Sequence, residues 1–188
     1  MDSITEMKRT LRRQVRADRQ RKFTPESWQH ILECKEIKEA IIVATYISYE
    51  HEPETGDINM ALIAAGKKLL LPKLLPDKDL DWALWDGHQK SLKRNGKILE
   101  PIGEKFIHES EIDAVIVPAL CIDRHGGRLG QGGGSYDRAL ARLASQRCWK
   151  VGLVRNDELI SEKIPTDLHD QKLSAAATPD FIVRFVPN

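Results

Sequence analysis

Residues 113–138 read DAVIVPALCIDRHGGRLGQGGGSYDR, and the order of residue types within that run decides the fold. Its opening, DAVIVP (113–118), is short, β-branched and apolar on both faces, which predicts a strand covered on both sides. The strand is expected to feed directly into a glycine-rich loop, after which residues 136–146 read as a helix. Six of the twelve glycines lie between Gly126 and Gly134. Glycine accepts positive φ and lets a ligand approach the main chain closely, so successive N–H groups can turn inward there as an anion nest. The helix that follows adds unpaired N–H donors and the positive end of its dipole. Arg124, Arg128 and Arg138 bracket the loop with charges suited to phosphate oxygens. No G-K-[ST] ends the loop, and Ser135 stands where a dinucleotide fingerprint has glycine or alanine, so neither of those patterns fits. The reading is a phosphate cradle for a nucleotide such as ATP. A ligand-free turn would leave six entropically unfavourable glycines unexplained.

Outward from this run, residues 41–47 (IIVATYI) and 68–72 (KLLLP) are apolar stretches predicted as buried strands, and 80–85 (LDWALW), 151–154 and 181–186 complete the set. Residues 4–21 read as a helix with Ile4, Leu11 and Val15 on one side. Thr24 and Pro25 are expected to open a second helix with Trp28, Ile31 and Leu32 inward. Asp57 is expected to cap a third helix that Gly66 ends. Residues 92–101 (LKRNGKILEP) read as loop and turn. Strands alternating with helices predict an α/β fold, one domain over 1–188 with a mixed, mostly parallel sheet flanked by helices.

With 188 residues, 41% of them hydrophobic, the chain can build one substantial core. A net charge of +1 among 30% charged residues argues against a surface tuned to nucleic acid or anionic membrane. Cys34, Cys121 and Cys148 lie far apart in no metal-binding spacing and are read as buried, reduced thiols. The N-terminus has no apolar signal-peptide core, and no window approaches the ~18 apolar residues of a membrane span, so the expectation is cytoplasmic.

Eight cations fall between Lys8 and Lys22. Most are expected on a solvated face. Lys8 and Arg12, on the face of Arg16, are the candidates to reach a polyphosphate, and RNA is disfavoured because no aromatic platform accompanies the cations. Asp137 would repel a bare polyphosphate unless Mg²⁺ sat between them; otherwise it is a first-turn acid favouring the helix dipole. His169-Asp170 offers a second carboxylate. In open α/β sheets ligands bind beyond the carboxyl ends of strands, so Glu52, in YEHEPE (49–54), and Lys73 are expected to face the crevice of the glycine loop. Trp82 and Trp85 point to opposite faces of their strand and are read as core.

Taken together, these segments resemble the 5-formyltetrahydrofolate cyclo-ligases, also called 5,10-methenyltetrahydrofolate synthetases. The shared pattern is K-x-x-x-R (Lys8, Arg12), E-x-E-T (Glu52, Glu54, Thr55), L-P-K (Leu71, Pro72, Lys73), I-x-E-P (Ile98, Glu100, Pro101) and V-P (Val117, Pro118). It continues through D-x-x-G-x-R-L-G-x-G-G-G-x-Y-D-R (Asp123 to Arg138) and closes on I-P-x-x-x-H-D (Ile164 to Asp170). The resemblance implies a Rossmann-like domain akin to ribose-phosphate isomerases and CoA transferases. It implies an ATP- and Mg²⁺-dependent ligase of one-carbon metabolism that closes 5-formyltetrahydrofolate to 5,10-methenyltetrahydrofolate through an N5-iminium phosphate. By position, Lys8, Arg12, Arg128, Gly130, Gly132, Gly133, Gly134, Ser135 and Tyr136 would hold ATP. Asp137 and Asp170 would bind Mg²⁺. Glu52, Gly134 and Ser135 would meet the folate, with Glu52, Lys73 and Arg128 at the chemistry. A monomer acting on small molecules, with no nucleic-acid or membrane partner, is expected. The family commonly has two aromatics before the helix aspartate, whereas this chain has Ser135 and then Tyr136. That departure keeps open a non-catalytic nucleotide-binding regulator on the same fold, and the basic helix keeps open an RNA-binding accessory protein. Turnover with ATP separates the first from an enzyme.

Overall fold

The computed structural model describes residues 3–22, 25–143 and 147–186. The chain opens with helix α1 (Ser3–Arg21), a 3-10 turn (Gln29–Glu33), helix α2 (Lys35–Glu39), strand β1 (Ile42–Ala44), helix α3 (Gly56–Ala64) and strand β2 (Lys68–Leu74). Strands β3 (Leu80–Trp85), β4 (Leu92–Asn95), β5 (Ile98–Pro101), β6 (Ala114–Pro118), β7 (Cys121–Asp123) and β8 (Arg128–Leu129) follow. Helix α4 (Ser135–Arg142) then leads to β9 (Trp149–Leu153), β10 (Leu159–Ile160), β11 (Ala175–Ala177) and β12 (Ile182–Arg184). The main sheet runs β12-β11-β9-β6-β1-β2-β3. Its five inner strands are parallel, and β12 and β3 are antiparallel edges.

Side-chain alternation explains why the inner strands are apolar at most positions. Val43, Leu69, Leu71, Ile116 and Val151 face one side, where they pack with Ile31, Ile37, Ile58 and Leu62. Their neighbours Ala44, Leu70, Val115 and Val117 face the other side, where α4 brings Ala139 and Leu140. Both faces are covered, so polar residues are few on these strands: Lys68 and Lys73 lie towards the ends of β2, and Lys150 on β9 is buried and donates to the Leu143 carbonyl at 3.1 Å. The chain passes from β1 to β2 and β3 on one side, then returns to place β6 on the other side of β1. Strand order therefore reverses between β1 and β6, where an α/β sheet opens a crevice. A small sheet of β10, β7 and β8 lies outside the main one, and α1 docks on it through Val15 against Leu120, Leu129 and Ile164.

Several local expectations need correction. Pro25 opens no helix: helical geometry starts at Gln29, and the buried Trp28 instead donates its indole N–H to the Val154 carbonyl at 2.9 Å. Thr24 lies outside the described residues. Thr55, not Asp57, occupies the N-cap position of α3, and its hydroxyl is spent on the Tyr46 carbonyl at 2.7 Å. Gly66 does close that helix, at φ 75°. Residues 92–101 form a hairpin, with Gly96 at φ 59° as the first of two loop residues; a glycine there is a sharp-hairpin signal. Strand β6 does not feed directly into the glycine loop, because β7 and β8 intervene. Helix α4 begins at Ser135 and is described to Arg142; residues 144–146 lie outside the described residues. Cys34, Cys121 and Cys148 are buried and free, and no helix among the described residues is long and apolar enough to cross a membrane.

Asp123, first residue of the long glycine motif, is a scaffold. It is 1% exposed and accepts N–H groups from His125 (2.8 Å), Gly127 (2.9 Å) and Ile164 (2.9 Å). Gly126 beside it stands at φ 80°, and a Cβ there would lie 2.8 Å from the Leu173 carbonyl oxygen. Gly126→Ala is therefore expected to cost about 2–4 kcal/mol of stability, combining the left-handed penalty with a backbone clash. Gly56→Ala, with nothing within 4 Å and no positive φ, should be neutral or stabilising by up to about 1 kcal/mol. Urea unfolding of both variants checks the contrast.

Candidate functional site

A cleft of about 440 Å³ opens beyond the carboxyl ends of β1, β2 and β6, at the reversal in strand order. Backbone that has just left a parallel strand has unpaired N–H and C=O groups, and the following loops bring side chains to that edge. After β1 come Tyr46, Tyr49 and Glu52; β2 contributes Pro72 and Leu74; β6 ends in Pro118. The hairpin β4–β5 closes the apolar side with Ile98 and Leu99. It is fixed there by Glu100, 1% exposed, which accepts from Leu74 N at 2.8 Å and from the Asn95 amide at 2.9 Å.

The opposite side of the cleft gathers main-chain N–H groups and arginines, donors of the kind that suit an anion. Gly132 and Gly134 stand at φ 105° and 72°, and Gly134 is the N-cap of α4. The first N–H groups of that helix have no intrahelical partner. Arg12 donates its Nε to the Gly130 carbonyl at 2.9 Å, and its guanidinium lies 3.4 Å from where a Gly132 Cβ would be. Gly132 is thus required for its φ, while the guanidinium would be in ordinary van der Waals contact with a side chain there. Arg16 holds the next residue, Gln131, through its amide oxygen at 2.6 Å and its carbonyl at 3.1 Å. The side chain of Arg128 is 3% exposed; it donates to Asp137 Oδ1 at 3.0 Å and to the Pro118 carbonyl at 3.2 Å. Its Nε is buried with no hydrogen-bond partner among the described residues. An unpaired buried donor is unfavourable unless something accepts from it.

Acids share this end. Lys8 Nζ lies 2.8 Å from Asp167 and 2.5 Å from Asp170. Burial disfavours its charge, but the two carboxylates outweigh that and hold its pKa above the usual lysine value. Asp137 and Asp170 both line the cleft, and among the described residues no group of three or more His, Cys, Asp or Glu side chains could hold a metal. Glu52 lies between the two ends. Burial pushes its carboxyl up to about 7, against the Tyr49 N–H, the Arg19 charge and a hydrogen bond with Gln131. Tyr136 sits edge-on to Trp82, ring centroids 6.1 Å apart, with the Arg128 guanidinium 5.7 Å from its ring centroid. Its hydroxyl is pushed well above the ordinary tyrosine range by burial and then by Glu52.

The structure brings Lys8, Arg12, Glu52, Arg128, Gly130, Gly132, Gly133, Gly134, Ser135, Tyr136, Asp137 and Asp170 to one cleft. It does not bring Lys73. Strand β2 runs to Leu74, beyond the expected end at Pro72, and alternation that turns Pro72 and Leu74 to the cleft turns Lys73 away, to the Gly103 carbonyl at 3.0 Å. Ser135 is at the rim, but its hydroxyl is spent on the Lys78 carbonyl at 2.6 Å, tying the glycine loop to the β2–β3 turn. The basic helix divides as expected only in part. Arg9, Arg13 and Arg21 are solvated, whereas Arg19 is buried against Glu158 at 2.6 Å and the Ala119 carbonyl at 2.7 Å.

The chain matches the model of the 5-formyltetrahydrofolate cyclo-ligase family over residues 4–179. It belongs to that family. The 5-formyltetrahydrofolate cyclo-ligase of Escherichia coli K12 is 29% identical over 177 residues, covering 92% of this chain and 97% of that enzyme. The cyclo-ligase of Mycolicibacterium smegmatis is 33% identical over 144 residues, 73% of each chain. The structure of Aquifex aeolicus 5,10-methenyltetrahydrofolate synthetase superimposes with a TM-score of 0.80 at 25% identity, covering 97% of this chain and 94% of that one. Within this cyclo-ligase frame, Asp167 is the charged cleft residue that sequence reasoning missed. It occupies a variable position of I-P-x-x-x-H-D, and only its distance to Lys8 reveals it. Tyr46 was read as part of a strand, yet the chain leaves the sheet at Ala44 and turns this ring into the cleft.

Proposed function

We propose that the chain closes 5-formyltetrahydrofolate to 5,10-methenyltetrahydrofolate with ATP as co-substrate. The observation that carries this is the meeting, in one cleft, of an anion cradle with an unpaired Arg128 Nε and a Glu52 carboxyl held at about 7. The formyl oxygen attacks the γ-phosphorus of ATP, ADP leaves, and N5 carries the positive charge of an iminium phosphate. The N10 amine then adds to the activated carbon, loses its proton, and the C–O bond to phosphate breaks to leave the methenyl cation. The glycine-loop N–H groups, Arg12 and Arg128 hold the polyphosphate and offset charge on the transferring group. Glu52 is placed to take the N10 proton, and a carboxyl near 7 suits that transfer at neutral pH. Tyr46, Tyr49 and Leu99 hold the flat substrate against the reacting phosphate.

Asp137 and Asp170 fit a hard cation. They present only carboxylate oxygens, and Mg²⁺ takes one or two carboxylates where phosphates and waters complete its shell. Each is already paired to a cation, Arg128 or Lys8, so neither stands as an unpaired charge before the nucleotide arrives. Bound there, Mg²⁺ would neutralise the phosphates. Mixing the protein with Mg-ATP and 5-formyltetrahydrofolate should give ATP-dependent growth of the methenyl chromophore. Absence of that signal while ATP still binds would replace this reading with a non-catalytic nucleotide-binding regulator.

A further inference from the structure

Beside the cleft lies a second recess of about 380 Å³, and Ile47, Tyr49 and Leu99 line both. The charged side chains of this recess are Glu50, Arg94 and Lys97. Glu50 and Lys97 neutralise each other at 2.6 Å. Arg94 is left over. It has no hydrogen-bond or ion-pair partner among the described residues, so the recess has one uncompensated positive charge. The hairpin register sets Arg94 directly opposite Leu99. Directly opposite residues of an antiparallel pair project from the same face, which puts the guanidinium beside a leucine that walls the cleft.

We propose that this recess is the subsite for the glutamate carboxylates of the folate, with Arg94 as their counter-charge. The proposal rests on the folate reading of the cleft. A reduced folate is a pterin joined through an aminobenzoyl ring to glutamate, so its reacting nitrogens and its carboxylates lie at opposite ends. In this cleft the phosphate cradle is at one end, Glu52 is between, and Ile47, Tyr49 and Leu99 lead away from both towards Arg94. The cations at the phosphate end do not compete for the glutamate. Lys8 is already held by Asp167 and Asp170 and Arg128 by Asp137, those acids repel a carboxylate that brings no metal, and Arg12, on the Gly130 carbonyl, is taken by the polyphosphate in the proposed function. At the hairpin end the one acid is already paired. The length of the ligand and the sign of each end therefore agree on one orientation.

Steady-state kinetics with 5-formyltetrahydrofolate and with the carboxamide of 5-formyltetrahydropteroate, which lacks the glutamate and carries no carboxylate, test the subsite. Arg94→Glu should raise KM for the folate by about tenfold, since one charge-assisted contact is replaced by repulsion, with kcat and the KM for ATP unchanged. Arg94→Lys should keep most of the wild-type KM. With the pteroate carboxamide, wild type and Arg94→Glu should have the same KM. Equal folate KM values for wild type and Arg94→Glu would overturn the subsite while leaving the folate reading intact. An equal rise for both substrates would also overturn it, because the hairpin rather than the glutamate would then be responsible. A wild-type chain that turns over neither substrate overturns the reading of the cleft, and the subsite with it.

Discussion

Arg128→Ala is expected to lower kcat by about 10²–10³-fold, the range found when a preorganised donor to a developing charge is removed, and to destabilise the fold as well. The two effects share a cause. This guanidinium joins three elements: its Nη1 donates to the Pro118 carbonyl at the end of β6, its Nη2 to Asp137 in the first turn of α4, and its plane lies near the Tyr136 ring. Removing it leaves Asp137 without its cation in a cleft where that carboxylate is 22% exposed. Breaking a fully buried pair costs about 3–5 kcal/mol, and partial access of water to Asp137 reduces the expected loss to roughly 2–3 kcal/mol. Arg128→Lys should be intermediate, because an ammonium keeps the charge but has no planar fork to reach two acceptors at once. Kinetics and urea unfolding on the same preparations separate the roles. Wild-type kcat in an Arg128→Ala variant that has lost stability would make this residue a strut and remove it from the phosphate site.

The main sheet was legible because burial on both faces leaves an unambiguous mark. Residues 41–44, 69–72 and 114–118 are apolar at successive positions, and all three stretches supply inner strands. The failures occur where that mark is absent. Strands β4 and β5 form from LKRNGKILEP, whose solvated cations carry no apolar alternation, and the hairpin is held by a turn glycine and by Glu100 instead. Strand β11 is three alanines, too small to read as β, yet it is fully buried between β9 and β12. Residues 25–28 carry the start signals of a helix, but the buried Trp28 indole finds its acceptor on Val154, and that long-range bond sets the local backbone.

The cleft was legible where one stretch of chain carries both its lining and the reason for it. The glycine loop is such a stretch, since positive φ at Gly132 and Gly134 is a local property. Residues whose role depends on a neighbour distant in sequence could not be read in the same way. Lys8 and Asp167 meet across 159 positions. Lys73 turned out of the cleft because its strand ran two residues longer than its apolar stretch indicated. Arg19 and Glu158, both surface-like in sequence, are buried against each other and fix α1 to the back of the small sheet. The basic helix is therefore part of the fold as much as part of the site.

Glu52→Gln should lower kcat by about 10²–10³-fold, the ordinary worth of a positioned general base, and at the same time stabilise the chain at alkaline pH. The carboxyl is held at about 7, against 4.5 in an unfolded chain, because burial in the cleft disfavours its charge. A carboxyl whose pKa is higher folded than unfolded favours folding most when it is protonated in both states. Its contribution is full below about pH 4.5 and is lost as the pH rises through about 7. The difference between the two pKa values corresponds to about 3 kcal/mol, and access of water at the cleft mouth reduces this to roughly 1–2 kcal/mol. A glutamine has no such titration, so the variant should match wild type near pH 4.5 and exceed it near pH 8 by about that amount. Catalysis runs the other way, because a base must be ionised to accept the N10 proton. Wild-type kcat/KM should rise with pH through about 7, over the window in which stability falls, and the variant should lack that limb. One titration with opposite signs in two measurements is a demanding result. A Glu52→Gln variant that gains alkaline stability but keeps its kcat would leave Glu52 a strained wall of the cleft. A variant that loses activity while its stability still falls through pH 7 would assign that titration to another group.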